Sequence, residues 1–254
     1  MGGKPLSALS IACFPTNELS AEVLSEIVAG AQIKLQEAGC ALLGGHTVRD
    51  REVKFGFSIT GVVAPEHLMT KAGAHPGDIL ILTKPIGNGI LASALKRGAL
   101  SVEGEAALAE WLPKLNANAA HAANICGVKC ATDVTGFGFI GHLFEIVRSS
   151  NCGVRIHTKQ LPLFPTAYEL AGDKKNLAGG LHRNRLFVEA NLEIGIDDPA
   201  MLNLLFDPQT SGGLLMAVAP EKIQEMKSLL EGSGELFAIV GEFLTGPQKI
   251  AIVE

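Results

Sequence analysis

One stretch of the chain brings a carboxylate, a hydroxyl and closely spaced glycines together: Cys130-Ala-Thr-Asp-Val-Thr-Gly-Phe-Gly-Phe-Ile-Gly-His142. Asp133 follows a short run that reads as a strand, so its carboxylate stands at a strand end. There it is a hard oxygen donor suited to Mg²⁺, and the Gly-rich turn with Thr135 lets backbone approach a metal-bound phosphate. The same Asp133 could instead cap the helix expected to start near Phe137. Gly136, Gly138 and Gly141 also stand at the G-x-G-x-x-G spacing of a dinucleotide fingerprint. Against that, Asp133 would set negative charge beside a pyrophosphate. The next strand offers Arg155, His157 and Lys159 where an NAD site needs an acid, which leaves an NADP-binding oxidoreductase as the alternative.

Two further glycine pairs carry polar neighbours. Gly44-Gly45-His46-Thr47 lies between two expected strands, where backbone can approach a ligand and His46 or Thr47 can hydrogen-bond it; a tight turn needing positive φ explains the same glycines. Asp207-Pro-Gln-Thr-Ser-Gly-Gly213 precedes a strand and reads as an anion site or as a turn. Cys126-x-x-x-Cys130 has no second cysteine pair at zinc-site distance, so no metal is assigned to it, and His121 and His182 read as surface or core residues. The P-loop, nucleophile-elbow and H-E-x-x-H patterns are absent, which removes the motif basis for those three enzyme classes.

The elements that must position these residues are legible in part. Leu6 to Phe14 suits a strand, and Val23, Leu24, Ile27, Val28, Ala31 and Leu35 recur at helical spacing before Gly39, a left-handed cap. Cys40 to Leu43 reads as a short buried strand and Val53 to Val63 as a longer one. Met69 to Gly77 reads as a boundary, dividing the chain into 1–70 and 71–254. Beyond it the expected order is strand Ile79 to Thr83, helical stretches Gly89 to Lys96 and Glu103 to Asn124, strand Lys129 to Asp133, helix Phe139 to Arg148, strand Val154 to Thr158 and helix Pro165 to Ala171. A loop over Asn176 to Asn184 follows, then strand Leu214 to Val218, helix Glu221 to Leu230, and strands Leu236 to Gly241 and Ile250 to Val253. Strands and helices mix without strict alternation, which favours an α+β arrangement.

Composition narrows the function further. The 254 residues are 47% hydrophobic and 19% charged, a globular balance, and 21 Lys+Arg against 26 Asp+Glu give a net charge of −5, no footprint for a nucleic acid. Apolar runs stop well short of the roughly 18 residues of a membrane span, Met1 to Leu6 lacks a signal peptide's apolar core, and five scattered cysteines do not resemble a disulfide framework, so the chain reads as cytoplasmic with reduced thiols.

Several segments, in order, resemble the selenophosphate synthetase (selenide, water dikinase) family: Met1-Gly-Gly-Lys-Pro-Leu, Leu43-Gly-Gly-His-Thr47, Lys54-Phe-Gly-Phe-Ser-Ile-Thr-Gly61, Leu82-Thr-Lys-Pro-Ile-Gly87, Ala131 to Gly138 with Gly141-His142, Gly179-Gly-Leu-His-Arg-Asn184 and Asp207 to Gly213. The resemblance spans the chain. It places the chain in the superfamily of aminoimidazole ribonucleotide synthetase, thiamine-monophosphate kinase and a hydrogenase-maturation enzyme. That implies a two-domain α+β fold, with residues 1–70 the remainder of a nucleotide-binding domain whose strands form a homodimer interface. It implies a reaction of ATP, selenide and water giving selenophosphate, AMP and orthophosphate with Mg²⁺. It also implies that Asp133 ligates the metal, and that Gly45, His46 and Thr47 contact ATP bound mainly to the partner subunit. The family's catalytic Cys or selenocysteine, its neighbouring Lys and the other magnesium-binding Asp residues fall before the position matched by Met1, so this chain by itself is expected not to make selenophosphate. A selenocysteine codon read as a stop would account for such a start, as would deliberate truncation or proteolysis. A noncatalytic dimerisation module is the third reading.

Overall fold

The computed structural model describes all residues from Met1 to Glu254, and the chain divides into two compact units, Gly2–Leu68 and Met69–Glu254 with Met1. The smaller unit runs β1 (Lys4–Phe14), α1 (Ala21–Glu37), β2 (Ala41–Arg49) and β3 (Lys54–Val62). Its sheet has the order β2-β1-β3, with β2 parallel and β3 antiparallel to β1. The parallel pairing needs a crossover, which α1 supplies, and Gly39 just beyond it takes the left-handed φ of +64°. Ala8, Leu35 and Cys40 form this unit's small core, with Phe57 against it. Alternation along β1 sends Ala8 and Ala12 inward and leaves Leu9 and Ile11 about half exposed, at 50% and 53%, on the opposite face.

The larger unit contains β4 (Ile79–Leu82), α2 (Asn88–Lys96), α3 (Val102–Trp111), α4 (Ala117–Ile125), β5 (Cys130–Asp133), α5 (Gly138–Ser150), β6 (Gly153–His157) and α6 (Ala167–Ala171). It continues through α7 (Leu181–Val188), β7 (Leu192–Ile194), α8 (Pro199–Phe206), β8 (Leu214–Val218), α9 (Ile223–Gly232), β9 (Ala238–Leu244) and β10 (Ile250–Val253). The sheet order is β5-β8-β4-β9-β6-β10-β7, antiparallel except where β10 joins β6 and β7. Both faces are covered, so the central strands are continuous apolar runs. On β4, Leu80 and Leu82 point into a cluster with Ile90, Phe139 and Leu204, while Ile81 points into another with Ala119, Met226 and Leu230. No helix is long and apolar enough to cross a membrane.

Three expectations need correction. The helical stretch Glu103 to Asn124 is two helices, because Pro113 has no N–H to continue α3. Asn176 to Asn184 is not all loop, since α7 begins at Leu181 and buries Leu181, Asn184 and Val188 despite its polar sequence. Cys40 to Leu43 is not a short buried strand; β2 is exposed throughout and runs on through the two glycines.

Candidate active site

Asp133 is the last residue of β5, whose first three residues are buried, and its carboxylate emerges into solvent at the strand end. The backbone after it is held on all sides. Val134 N–H donates to Gly213 O at 3.0 Å, and Thr135 O accepts from Gly138 N–H at 2.9 Å and from Gln209 N–H at 3.0 Å. Gly136 O accepts from the side-chain amide of Asn184 at 3.0 Å. Gly138 has a φ of +72°, and a Cβ there would lie 3.0 Å from the backbone of Phe206 and Asp207, so this turn requires glycine. The α5 N-terminus is at Phe137 and carries no side-chain cap, so Asp133 does not cap the helix.

The Thr135 hydroxyl is 3.0 Å from His142 Nε2. His142 is buried, and burial holds its imidazole below the usual value, outweighing the raising effects of Glu145 and Asp133. Its Nδ1 lies 3.5 Å from Glu145, which pairs with Lys71 at 2.6 Å. His142 Nε2 therefore orients the Thr135 hydroxyl, while its Nδ1 has no hydrogen-bond partner. An open cleft of about 710 Å³ adjoins this loop, walled by Thr135, Gly136, Phe137, Arg183, Asn184 and Phe187.

The Asp207–Gly213 segment is a clamp, held by hydrogen bonds inside the protein. Asp207 Oδ2 accepts from Ile90 N–H at 3.1 Å and from Gln209 Nε2 at 2.8 Å. Gln209 Oε1 accepts from the N–H groups of Gly87 and Asn88 at 3.1 and 3.3 Å, and Asn88 exchanges two hydrogen bonds with the Thr210 backbone. The orphan donors at the start of α2 thus take their acceptors from a loop distant in sequence, and the same loop fixes the turn after Asp133 from its other side.

The dinucleotide alternative fails on topology. Gly136, Gly138 and Gly141 follow β5, whose one neighbouring strand, β8, is antiparallel and whose other edge meets only the single residue Thr70, so the parallel βαβ crevice of that fold does not exist here. Gly138 packs on the Asp207 segment, and Gly141 packs on Phe137, whose Cβ would lie 2.8 Å from a methyl group added to that glycine. Only Gly136 faces open space.

In the smaller unit Gly44, Gly45, His46 and Thr47 lie within β2, not in a turn between strands. Gly44, at φ +143°, sits where the pairing with β1 skips Leu43, a bulge, and a Cβ on Gly45 would meet Ser10 O at 2.3 Å. His46 pairs with Ile11 and Thr47 with Ala12, so the two side chains project from opposite faces of the strand. Both remain accessible because β2 is an edge strand.

No three His, Cys, Asp or Glu side chains converge as a metal site. A lone carboxylate fits Mg²⁺, which keeps most of its waters and takes the rest of its ligands from substrate phosphates, and does not fit zinc. Cys126 and Cys130 are buried thiols, and burial pushes Cys130 up to about 11. His121 and His182 are exposed. Sequence reasoning gave Asn184 no role of its own and read Gln209 only as part of an anion site or turn; for Asn184 the available signal was an amide on the apolar stripe Leu181, Asn184, Val188.

The chain matches the AIR synthase related protein C-terminal domain over residues 75–254 and the corresponding N-terminal domain over residues 1–63. It is 44% identical over 253 residues to the selenide, water dikinase of Trichlorobacter lovleyi and 41% identical over 256 residues to that of Pelobacter propionicus, covering all of this chain and 73% of each relative. The chain belongs to the selenide, water dikinase family. The fold extends to a hydrogenase maturation protein, HypE, in complex with ATP, at TM-score 0.69 and 15% identity over 99% of this chain and 70% of that one. Within the selenide, water dikinase framework, Asp133 stands beside a turn that the Asp207–Gly213 clamp and Asn184 hold by hydrogen bonds.

Proposed function

We propose that this chain supplies the metal- and nucleotide-handling parts of a selenide, water dikinase: ATP, selenide and water to selenophosphate, AMP and orthophosphate. The observation that carries the reading is Asp133, an exposed carboxylate at a strand end beside a turn whose carbonyls are pinned by the protein. Phosphoryl transfer asks for charge neutralisation and in-line positioning more than for covalent work by the protein. Bound Mg²⁺ supplies that neutralisation, and Asp133 holds it. The Thr135 hydroxyl, oriented by His142, is placed to hydrogen-bond a phosphoryl oxygen. Gly45, His46 and Thr47 contact the nucleotide along the open edge of β2, the geometry that lets residues on opposite faces reach one ligand. That nucleotide is held mainly by the partner subunit of a homodimer. ATP bound to a protein of the same fold supports the nucleotide assignment.

Thermal melting tests the reading. ATP with Mg²⁺ is expected to raise Tm, because a ligand at about 100 times its Kd stabilises the folded state by about 2.7 kcal/mol. Asp133→Ala is expected to abolish the shift. An undiminished shift in Asp133→Ala, or a shift with NADPH and none with ATP, would refute the assignment.

The dimer has its own test. Leu9, Ile11 and Val48 share one face of the three-stranded sheet and are 50%, 53% and 46% exposed, an apolar patch suited to a second copy. Ile11→Lys is expected to convert a dimer to a monomer in sedimentation velocity while leaving the circular dichroism spectrum unchanged. A dimer of unchanged affinity would place the interface elsewhere.

A further inference from the structure

We infer that Asn184 is a positioning residue that aims two successive backbone N–H groups, those of Gly136 and Phe137, at the phosphate oxygens beside Asp133. The inference rests on the reading of Asp133 given above and names how the neighbouring turn serves it. Asn184 is 6% exposed and lies on the inward stripe of α7 with Leu181 and Val188, where a leucine would pack without a polar group to satisfy. Its amide instead donates both hydrogens, to Gly136 O and to Phe206 O, each at 3.0 Å. It therefore ties together two loops, the one leaving Asp133 and the one entering the clamp.

The consequence follows from peptide geometry. In a trans peptide the carbonyl and the next N–H point in opposite directions, and the chain has no cis peptide. Thr135 O is turned inward to Gly138 and Gln209, which turns Gly136 N–H outward. Gly136 O is turned inward to Asn184, which turns Phe137 N–H outward. Two adjacent outward amides form a concavity for an anionic oxygen. Gly136 itself supports this: its φ is not in the left-handed region and a Cβ would meet nothing within 4 Å, so neither backbone strain nor packing demands a glycine. Absence of a side chain there keeps the approach to those amides clear. Arg183, one residue before Asn184, lines the cleft together with Gly136 and Phe137 and adds positive charge to it.

The test uses two substitutions. Asn184→Asp keeps the shape but removes both donors; Asn184→Leu removes them while filling the same apolar stripe, and carries the experiment if the aspartate variant does not fold. Two readouts are taken on each: amide hydrogen exchange of the segment 134–138 without ligand, and ATP binding with Mg²⁺ by calorimetry. Exchange in that segment is expected to accelerate at least about tenfold and ATP affinity to fall at least about tenfold, against a melting temperature that stays well above the assay temperature. Unchanged exchange would show that Asn184 does not hold the turn. Faster exchange with unchanged ATP affinity would reduce Asn184 to a structural residue. If the unsubstituted chain binds no ATP, the reading of Asp133 fails and the phosphate role of Asn184 with it, whereas the exchange comparison still decides whether Asn184 fixes the turn.

Discussion

Gly212→Ala is expected to destabilise the larger unit by about 3 kcal/mol or more, lowering Tm by roughly 6–12 °C. A Cβ at this buried position would stand 2.2 Å from Val134 O and 3.1 Å from Val134 Cβ, distances at which something must move. The obstructing atom is backbone, and it belongs to the turn directly after Asp133, so no side-chain rotation relieves the clash. The same clamp has a second such point at Gly213, whose Cβ would lie 2.4 Å from Lys84 N. Gly136→Ala is the control within the same few residues. With open space around it and no left-handed φ, an alanine there is expected to change stability by no more than about 1 kcal/mol, in the stabilising direction, because it restricts the unfolded chain. Urea unfolding of both variants decides the matter. Equal midpoints would mean that the clamp yields freely and does not position the turn.

The contrast between these glycines shows where sequence reading reaches its limit. Local periodicity is enough for α1, for β3 and for the buried runs of β4 and β8, because in each the apolar spacing and the neighbouring Gly or Pro agree. It fails at β2, where Gly44 and Gly45 look like a turn but serve a bulge and a close strand approach, both set by β1. It fails at α7, whose His-Arg-Asn-Arg sequence looks solvated; its burial comes from packing on α5, with Phe187 edge-on to Phe144 at 5.7 Å. α8 does carry a local signal that the sequence reading leaves unused: the Asp198 cap, Pro199 in its first turn, and Met201, Leu204 and Leu205 at helical spacing. At the site, Asp133 is legible because a carboxylate after an apolar run is a local pattern. Its supports are not, since Asn184, Gln209 and Gly213 reach it across about 50 to 80 positions of sequence and no spacing rule connects them. The Gly136/Gly138/Gly141 pattern is the converse case: a correct local spacing whose meaning depends on which strand lies beside β5.

Asp207→Asn is expected to flatten the pH dependence of stability between pH 5 and 8. Asp207 is fully buried, and burial pushes its carboxyl up to about 7, against the lowering effect of hydrogen bonds from Ile90, Gly89 and Gln209. Its Oδ1 has no well-aligned hydrogen-bond donor, so the charged form leaves a buried oxygen bare. The folded chain therefore holds this proton more tightly than the unfolded chain, where the carboxyl titrates at its ordinary 3.8. The stabilisation is complete below the unfolded value, is lost as pH rises through about 7 and is absent above it. Between pH 5 and 8 the loss amounts to roughly 2–3 kcal/mol from this one group. The groups that touch it are backbone amides and the Gln209 side chain, none of which titrates, so the asparagine variant isolates the effect. Urea unfolding of both proteins at pH 5, 6, 7 and 8 should show the parent losing stability relative to Asp207→Asn as pH rises. Parallel curves would mean that Asp207 is ionised throughout, held as a carboxylate by the start of α2, and that the clamp around Asp133 carries a permanent buried charge.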